Sequence, residues 1–435
     1  MASRYGCRVK VTVYGLWHLG CVTAACLAAA GHDVVGLEPD ERALEALRDG
    51  RPPLHEPGLA ALMSAELSTG RLAFSDDAAQ ALDGADVAWI AFDTPVDDED
   101  QADVASVRER IEAVAGSFAP GTLVLVSSQV PAGFTRSLAA SIDVQDVRFA
   151  YSPENLRLGK AIDAFRNPER VVVGLEQPGD RQKVTELLAP FTDRIEWMGL
   201  ESAEMTKHAL NAFLATSVTF ANELARLCER VGADAKEVER GLKSEPRIGR
   251  RAYLAPGAAF AGGTLARDVR FLQGFGRAEQ VATPLFDGVL ASNAEHKGWM
   301  RARVTEALSA EAEPVVAMLG LTYKPGTSTL RRSLAVELCR WLAERGIRVR
   351  AHDPTVTELP PDGLGTTTLH HDAHTALEGA TVAVLATEWP DYAQLTAEDF
   401  ISAMRTPRVI DQNWFLARAL AEDLRVSYLA TGRGS

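Results

Sequence analysis

The first half of the chain alternates short apolar runs with amphipathic stretches. Runs rich in valine, isoleucine and leucine at 9–15, 87–92, 122–128 and 170–175 predict strands, and helical patterns lie between them. Strands that alternate with helices form parallel sheets covered on both faces. Residues 8 to about 197 therefore predict a doubly wound α/β domain.

The pattern changes at about residue 199. From about 199 to 235 the chain is rich in alanine and leucine and, after Gly199, has no glycine until Gly232, which predicts one long helix. A mostly helical region follows to about 310, and the strand–helix alternation resumes with the apolar run at 314–326. The predicted outline is two doubly wound α/β domains joined by a helical spine.

Composition and charge narrow the classes of function. The 435 residues include 45 lysines and arginines against 59 aspartates and glutamates, which gives a net charge of −14. We expect neither nucleic acid nor a membrane as a partner, because an acidic protein repels both nucleic acid and an anionic membrane surface. No apolar run approaches the roughly 18 residues that span a bilayer, and the first residues lack a long apolar signal segment, so we expect a cytoplasmic protein.

Cysteines and histidines predict no metal site. The five cysteines are odd in number, scattered and without a C-x-x-C pair, so we interpret them as reduced thiols. Three histidines cluster at 370–374, but no partner cluster accompanies them. Turn or surface histidines are favoured there over metal ligands.

A nearly complete dinucleotide fingerprint follows the first strand. Residues 15–20 read GLWHLG where the fingerprint reads G-x-G-x-x-G, so Gly15 and Gly20 are in place and Trp17 replaces the second glycine. Glu38 ends the second strand, where an acid binds the ribose hydroxyls of NAD and repels the extra phosphate of NADP. The alternative is a tight strand–helix turn that Trp17 fills as an apolar plug.

Seven further stretches occur in an order that resembles the UDP-glucose/GDP-mannose dehydrogenase family over almost the whole chain. They are EALRDGRPPLHEPGL (45–59), DTPVDDEDQADVASV (93–107), YSPENLRLGKAI (151–162), SAEMTKHALNAFLATSVTFANE (202–223), RIGRRAYLAPGAAFAGGTLARD (247–268), GLTYKPGTSTLRRS (320–333) and TEWPDY (387–392). The resemblance implies an α/β fold of two Rossmann-like doubly wound domains joined by a long central helix and a helical dimerisation region. We expect an NAD-binding domain at 1–198, a central helical domain at 199–310 that forms a homodimer, and a nucleotide-sugar (UDP)-binding domain at 311–435.

The family oxidises the C6 alcohol of a nucleotide sugar twice, with NAD as hydride acceptor, through a cysteine thioester. The resemblance assigns a proton-accepting water network to Lys207 and Asp268. It matches Asn211 to the family's asparagine and Glu154 to the glutamate that assists thioester hydrolysis. Lys207 and Asn211 are four residues apart, which puts both on one face of the central helix. The alternatives are a solvated helix charge for Lys207 and a loop or cap carboxylate for Glu154.

The residues for the second oxidation depart from the family pattern. Thr264 occupies the cysteine position, Gln129 occupies that of the hydrolytic threonine, and Leu158 replaces a second acid. We expect Thr264 to be the N-cap of the next helix, with its oxygen accepting a backbone N–H, since nothing activates its hydroxyl as a nucleophile.

The expected reaction is therefore oxidation of a UDP-sugar to the aldehyde, or a transient oxidation during another rearrangement. Two alternatives stay open. One is the complete four-electron oxidation to a uronic acid without a covalent intermediate. The other is a non-catalytic binder of NAD or a nucleotide sugar, which Trp17 favours and the retained proton-transfer residues disfavour.

The resemblance also assigns the binding residues. Those expected at NAD are Gly15, Trp17, His18, Leu19, Gly20, Glu38, Thr94 and Arg331. Those expected at the nucleotide sugar are Glu154, Leu156, Arg157, Lys207, Asn211, Arg247, Tyr253, Gly257, Phe260 and Lys324. Of these, Arg247 matches an arginine that reaches the substrate of a neighbouring subunit.

Overall fold

The computed structural model describes residues 8–95, 102–154, 156, 158–260, 264–360 and 363–433. The chain divides into two compact units, and the boundary between Ala209 and Leu210 falls inside a 32-residue helix. Each unit contains one sheet with helices on its faces. The three-domain division expected from the sequence stays a prediction.

The first unit is built on a sheet of eight strands among its described residues, in the order β3-β2-β1-β4-β5-β6-β7-β8. Neighbouring strands are parallel except for β6 and β7, which are antiparallel. The strands are β1 (Lys10–Tyr14), β2 (Asp33–Leu37), β3 (Leu72–Ser75), β4 (Val87–Ile90), β5 (Leu123–Val126), β6 (Arg148–Tyr151), β7 (Val171–Leu175) and β8 (Ile195–Met198). The strand order reverses at β1 and β4, and ligands of doubly wound sheets bind at such a point, beyond the carboxyl ends of the strands.

Apolar residues cover both faces of this sheet. In β4, Trp89 belongs to the core on one face and Ile90 to the core on the other, and Leu125 and Val126 of β5 divide in the same way. The covering helices are α1 (His18–Ala29), α2 (Glu41–Arg48), α3 (Leu59–Thr69), α4 (Ala78–Leu82), α5 (Val104–Val114), α6 (Phe134–Ser141), α7 (Ala161–Arg166) and α8 (Arg181–Leu188). Burial on both faces explains why these strands are continuous apolar runs in the sequence.

The long helix α9 (Leu200–Val231) begins in the first unit and ends in the second. The second unit has a parallel sheet of six strands in its described part, in the order β11-β10-β9-β12-β13-β14. Its strands are β9 (Val315–Leu319), β10 (Arg348–His352), β11 (Thr367–Leu369), β12 (Val382–Leu385), β13 (Arg408–Asp411) and β14 (Ser427–Leu429). Its helices are α10 (Ala235–Ser244), α11 (Leu265–Ala278), α12 (Pro284–Leu308), α13 (Leu334–Ala343), α14 (Ala373–Leu377), α15 (Ala397–Ala403) and α16 (Ala417–Leu420).

The fold class predicted from the sequence is confirmed: two Rossmann-like sheets are joined by a long central helix. One detail was wrong, since the antiparallel pairing of β6 with β7 interrupts the sheet that the alternation predicted to be parallel. The chain returns from β6 to β7 through the short helix α7 instead of a full crossover. A connection of that kind allows antiparallel neighbours.

Candidate active site

The turn between β1 and α1 has the geometry of a dinucleotide site. Gly15 has φ +102°, and a Cβ added there would lie 2.7 Å from the backbone nitrogen of Phe92. A Cβ on Gly20 would lie 2.0 Å from the Gly15 carbonyl oxygen. The first glycine is thus needed for the turn and the last for close approach of helix to strand, so the turn fits NAD pyrophosphate at the amino end of α1.

Trp17 does not fill this turn as a plug. It is the N-cap residue of α1, with φ −83°, and its carbonyl accepts a hydrogen bond from Cys21 N at 3.0 Å. Its side chain is 49% exposed. The alternative of an apolar plug is therefore wrong, because the indole points away from the buried core and its backbone does not require glycine.

The other expected cofactor residues of this unit differ in exposure. Leu19 packs against the core below α1. Glu38 is half-buried just beyond β2, its carboxylate accepts from Asp40 N at 3.0 Å, and burial raises its pKa. Thr94 is buried beyond β4 and donates its hydroxyl to the Gln129 carbonyl oxygen at 2.7 Å. Glu38 and Thr94 thus follow strands on either side of β1, at the edge of the sheet where Gly15 begins the turn.

Gln129 lies in a segment beyond β5 that is fixed on the first part of α9. Its side chain is buried. His208 donates to the Val130 carbonyl at 3.0 Å, and the buried Glu204 carboxylate accepts from Gly133 N and Thr135 N at 2.6 and 2.8 Å. Burial raises the pKa of Glu204. These anchors, which the sequence analysis missed, cap the amino end of α6.

Lys207 and Glu154 meet within the first unit. The Lys207 ammonium donates to the Glu154 carbonyl oxygen at 2.5 Å and lies 3.8 Å from the Glu154 carboxylate. The same carboxylate accepts from Leu156 N at 2.7 Å. Lys207 is only 7% exposed, so the alternative of a solvated helix charge is wrong. Arg157 lies outside the described residues.

Asn211 and Asp268 meet within the second unit. The Asn211 amide donates to an Asp268 carboxylate oxygen, and both side chains are buried. Asn211 follows Lys207 by one turn of α9, as the spacing predicted. The lysine and asparagine are thus each held against a carboxylate residue, Glu154 for one and Asp268 for the other.

Thr264 immediately precedes α11, as expected, but one part of its predicted role is wrong. Its side chain is exposed and makes no capping hydrogen bond to the helix. Its φ and ψ of −107° and −69° are close to helical, whereas a capping residue has extended backbone that turns its oxygen toward the first N–H groups. The main chain contributes instead, since the Thr264 carbonyl accepts from Asp268 N at 3.3 Å.

A loop that includes Gly257 and Phe260 is held by amide side chains that the sequence analysis missed. Asn222 of α9 accepts from Gly257 N at 2.9 Å and donates to the Ala258 carbonyl at 3.1 Å. Asn293 of α12 accepts from Phe260 N and donates to Phe260 O, both at 2.9 Å.

The same loop has two further anchors. His296 donates to the Gly257 carbonyl at 2.8 Å, and burial lowers its pKa. Asn413 accepts from Ala258 N at 2.7 Å, and a Cβ on Gly257 would lie 2.4 Å from this oxygen. The sequence signal for the helical anchors Asn222, Asn293 and His296 is a polar side chain on a helix, which does not identify its partner. Asn413 lies in the loop after β13, where a polar residue gives no such signal.

The remaining expected residues of the second unit lie near its surface. Tyr253 is exposed, and so is Arg247, whose guanidinium pairs with Glu245 at 2.8 Å. Lys324 is half-buried in the loop beyond β9, and Arg331 is exposed shortly before α13. Exposure of Arg247 is compatible with contact to a second copy of the chain.

The four cysteines of the described part of the chain are buried and unbridged, and burial disfavours their thiolate forms. Burial raises the pKa of Cys21 and Cys339 to about 12 and that of Cys26 to about 11, and it also raises that of Cys228. The described residues contain no group of three His, Cys, Asp or Glu side chains that could hold a metal ion. Among them, too, no helix combines the length and apolar character needed to cross a membrane.

The chain matches three consecutive family profiles. Residues 9–192 match the profile described as "UDP-glucose/GDP-mannose dehydrogenase family, NAD binding domain". Residues 201–295 match the central domain of that family, and residues 317–418 match its UDP binding domain.

Similar proteins cover nearly the whole chain. A UDP-glucose 6-dehydrogenase of Pseudomonas aeruginosa is 33% identical over 443 residues, covering 98% of each chain. One of Rhizobium meliloti is 32% identical, covering 93% of this chain and 94% of its own. Among solved structures, a UDP-glucose dehydrogenase from Pyrobaculum islandicum is 30% identical with a TM-score of 0.86, covering 100% of both chains.

Proposed function

Because the chain belongs to the UDP-glucose/GDP-mannose dehydrogenase family and is an NAD-dependent oxidoreductase that acts on a CH–OH group, we propose that it oxidises the C6 alcohol of a UDP-sugar. The oxidation stops at the aldehyde, or it is a transient step during another rearrangement. The proposal depends on Thr264. The sequence resemblance assigns it to the family's cysteine position, and the four described cysteines are buried in α1, α9 and α13. A threonine hydroxyl without an adjacent base is a poor nucleophile at neutral pH.

The alcohol oxidation itself requires a hydride acceptor and a proton acceptor. NAD, which the turn from Gly15 to Gly20 and Glu38 would hold, would supply the acceptor for the C6 hydride. The hydroxyl proton passes to a water network that we assign to Lys207 and Asp268, and the C–O bond becomes the carbonyl of the aldehyde. Glu154 and Asn211 orient these two groups, which is supported by their hydrogen bonds to Lys207 and Asp268 respectively.

The UDP-sugar is assigned from the second unit. The family's UDP binding domain covers residues 317–418, which include Lys324. The loop of Gly257 and Phe260 would contact the sugar nucleotide in a shape that asparagine side chains fix. The backbone N–H groups of residues 257, 258 and 260 already donate to asparagine side chains.

We further assign a homodimer to the central helix. Phe213, Phe220 and Leu227 recur every seven residues along α9 and are 71, 51 and 59% exposed. Seven residues are nearly two turns, so the three side chains form one apolar stripe. Exposed stripes of this kind mark protein–protein interfaces. The cytoplasmic location stays a prediction from the sequence.

The stoichiometry of NADH per sugar tests the proposed reaction. With a panel of UDP-sugars we expect one NADH per sugar consumed, and a carbonyl reagent should trap the aldehyde. Two NADH per sugar, with a uronic acid in the mass spectrum, would contradict the proposal and support the four-electron oxidation. Absence of turnover on any nucleotide sugar would count against the proposed function altogether.

Substitution at Thr264 sharpens this test. The thiol introduced by Thr264→Cys can add to the aldehyde as a thiohemiacetal, and a second NAD would accept the remaining C6 hydride to leave a thioester. We expect this thioester as a mass increase of the protein by one sugar nucleotide, because Gln129 does not replace the hydrolytic threonine. Thr264→Ser keeps a hydroxyl and is the matched control, with wild-type stoichiometry and no adduct. An equal adduct in Thr264→Ser would show that a hydroxyl suffices for capture.

A further inference from the structure

Glu56 is a buried carboxylate that joins three separate segments of the first unit. It lies between α2 and α3, and its side chain is 1% exposed. One oxygen, Oε2, accepts from His18 Nε2 and from Gly159 N, both at 2.8 Å. The other, Oε1, accepts from Ala161 N at 2.8 Å. A buried carboxylate is stable only when its oxygens are compensated in this way, so the three donors hold one another in register.

The donors belong to two parts of the candidate active site. His18 is the first residue of α1 and follows Trp17 in the dinucleotide turn. Gly159 and Ala161 are near the end of the segment that contains Glu154, which we call the Glu154 segment (described residues 152–154, 156 and 158–161). A further anchor of this segment is Lys207, which donates to the Glu154 carbonyl.

We propose that His18 and Glu56 are positioning residues that couple the dinucleotide turn to the Glu154 segment, so that NAD and the nucleotide sugar strengthen each other's binding. The proposal rests on the proposed function, because it takes the turn as the NAD site and Glu154 as a substrate residue. A dinucleotide at the amino end of α1 restrains His18, which restrains Glu56 and through it Gly159 and Ala161. The coupling is reciprocal by thermodynamic necessity.

The imidazole of His18 is the separable part of this link. Without it, Glu56 keeps its two backbone donors, so the Glu154 segment stays capped while its connection to α1 is lost. Removal of the Glu56 carboxylate affects the Glu154 segment instead, because it leaves the Gly159 and Ala161 N–H groups without their acceptor. The two residues therefore make different predictions for binding and for local exchange.

The coupling is measurable without turnover. NADH fluorescence gives the dissociation constant of NADH with and without saturating UDP-glucose, a pair that cannot react because the cofactor is already reduced. We expect UDP-glucose to tighten NADH binding by about fivefold or more in the wild type, the lower range of allosteric coupling. The coupling ratio is the dissociation constant of NADH without UDP-glucose divided by that with UDP-glucose. In His18→Phe this ratio should fall to within about twofold of one. His18→Gln retains a hydrogen-bond donor and should keep most of the wild-type ratio.

A matched control uses a second histidine–carboxylate pair. His371 lies 2.8 Å from Asp372 on the surface of the second unit. His371→Phe should leave the ratio unchanged, which separates a specific link from loss of any such pair. A wild-type ratio in His18→Phe, or a ratio of one in the wild type, would overturn the proposal. Failure of the wild type to bind NADH at all would instead overturn the proposed function.

Hydrogen exchange in the ligand-free protein gives a second readout. The amides of Gly159 and Ala161 should exchange at least about tenfold faster in Glu56→Gln, because one amide oxygen cannot replace two carboxylate oxygens. His18→Phe should change them by less than Glu56→Gln does. Unchanged protection of both amides in a folded Glu56→Gln protein would overturn the role of Glu56. If Glu56→Gln does not fold, the coupling ratio of His18→Phe still decides the proposal.

Discussion

Replacement of Lys207 by methionine tests the proton-transfer network most directly. Methionine fills nearly the same volume as the lysine stem, but it removes the ammonium that bonds to the Glu154 carbonyl at 2.5 Å and faces its carboxylate at 3.8 Å. Lys207 is 7% exposed, whereas the Glu154 side chain is 26% exposed and can be hydrated once its neighbour is gone. The variant should therefore fold.

The two expected effects differ in size. A hydrogen bond from a charged group contributes about 1.5–3 kcal/mol, and about a third of this is offset because the variant no longer buries a charge. We expect the free energy of unfolding to change by about 1–2 kcal/mol. Loss of an acid–base group lowers kcat by about 10²–10⁴, which corresponds to about 2.7–5.4 kcal/mol in the barrier. The chemical effect should thus exceed the structural one.

The assay combines NADH formation with denaturant unfolding. Lys207→Met should lose kcat while the KM for the UDP-sugar changes much less. Lys183→Met is the matched control, since Lys183 also donates to main-chain carbonyls of the first unit, Gly121 O at 2.6 Å and Asp86 O at 3.3 Å. It should retain wild-type kcat. Near-normal turnover in Lys207→Met would refute the reasoning and leave Lys207 as a purely structural contact.

Three other changes are expected to give clear outcomes. Trp17→Gly should tighten NADH binding by allowing the pyrophosphate closer to the backbone; weaker binding would mean that the exposed indole covers the dinucleotide. Asn222→Ala removes both bonds to the Gly257 loop, worth about 0.5–1.5 kcal/mol each. It should raise the KM for the UDP-sugar by about 5–100-fold, and the proposed loop role fails if KM is unchanged. Leu227→Asp should dissociate the dimer in sedimentation velocity, whereas Leu424→Asp, at a lone apolar residue that is 99% exposed, should not; a dimer that survives Leu227→Asp would count against the stripe.

The sequence alone determined the architecture, because its signals are local. The valine-rich runs at β1, β4, β5 and β7 are buried on both faces, and their length and composition predict strands without knowledge of their neighbours. The uninterrupted helix-forming residues of α9 predicted its length to within a few residues. Strands β3, β6, β8, β11 and β14 were not predicted, since each mixes polar with apolar residues, whereas the equally short β4 and β5 are entirely apolar.

Part of the candidate active site could also be assigned from local signals in the sequence. Gly15 and Gly20 could be assigned from the sequence because a turn and a close helix–strand approach impose a fixed spacing on small residues. Lys207 and Asn211 could be paired because helical geometry places residues four apart on one face.

Only the tertiary structure decided what these residues contact. The carbonyl that Lys207 bonds is 53 residues away in the chain, and the backbone groups that Asn413 and Glu56 hold are more than 100 residues away. It also decided that the Trp17 indole is exposed and that the Thr264 hydroxyl does not cap α11. Local patterns record which face of an element is buried. The partner of a polar side chain depends on how elements distant in the sequence pack together. The hydrophobic periodicity of the chain does not identify that partner.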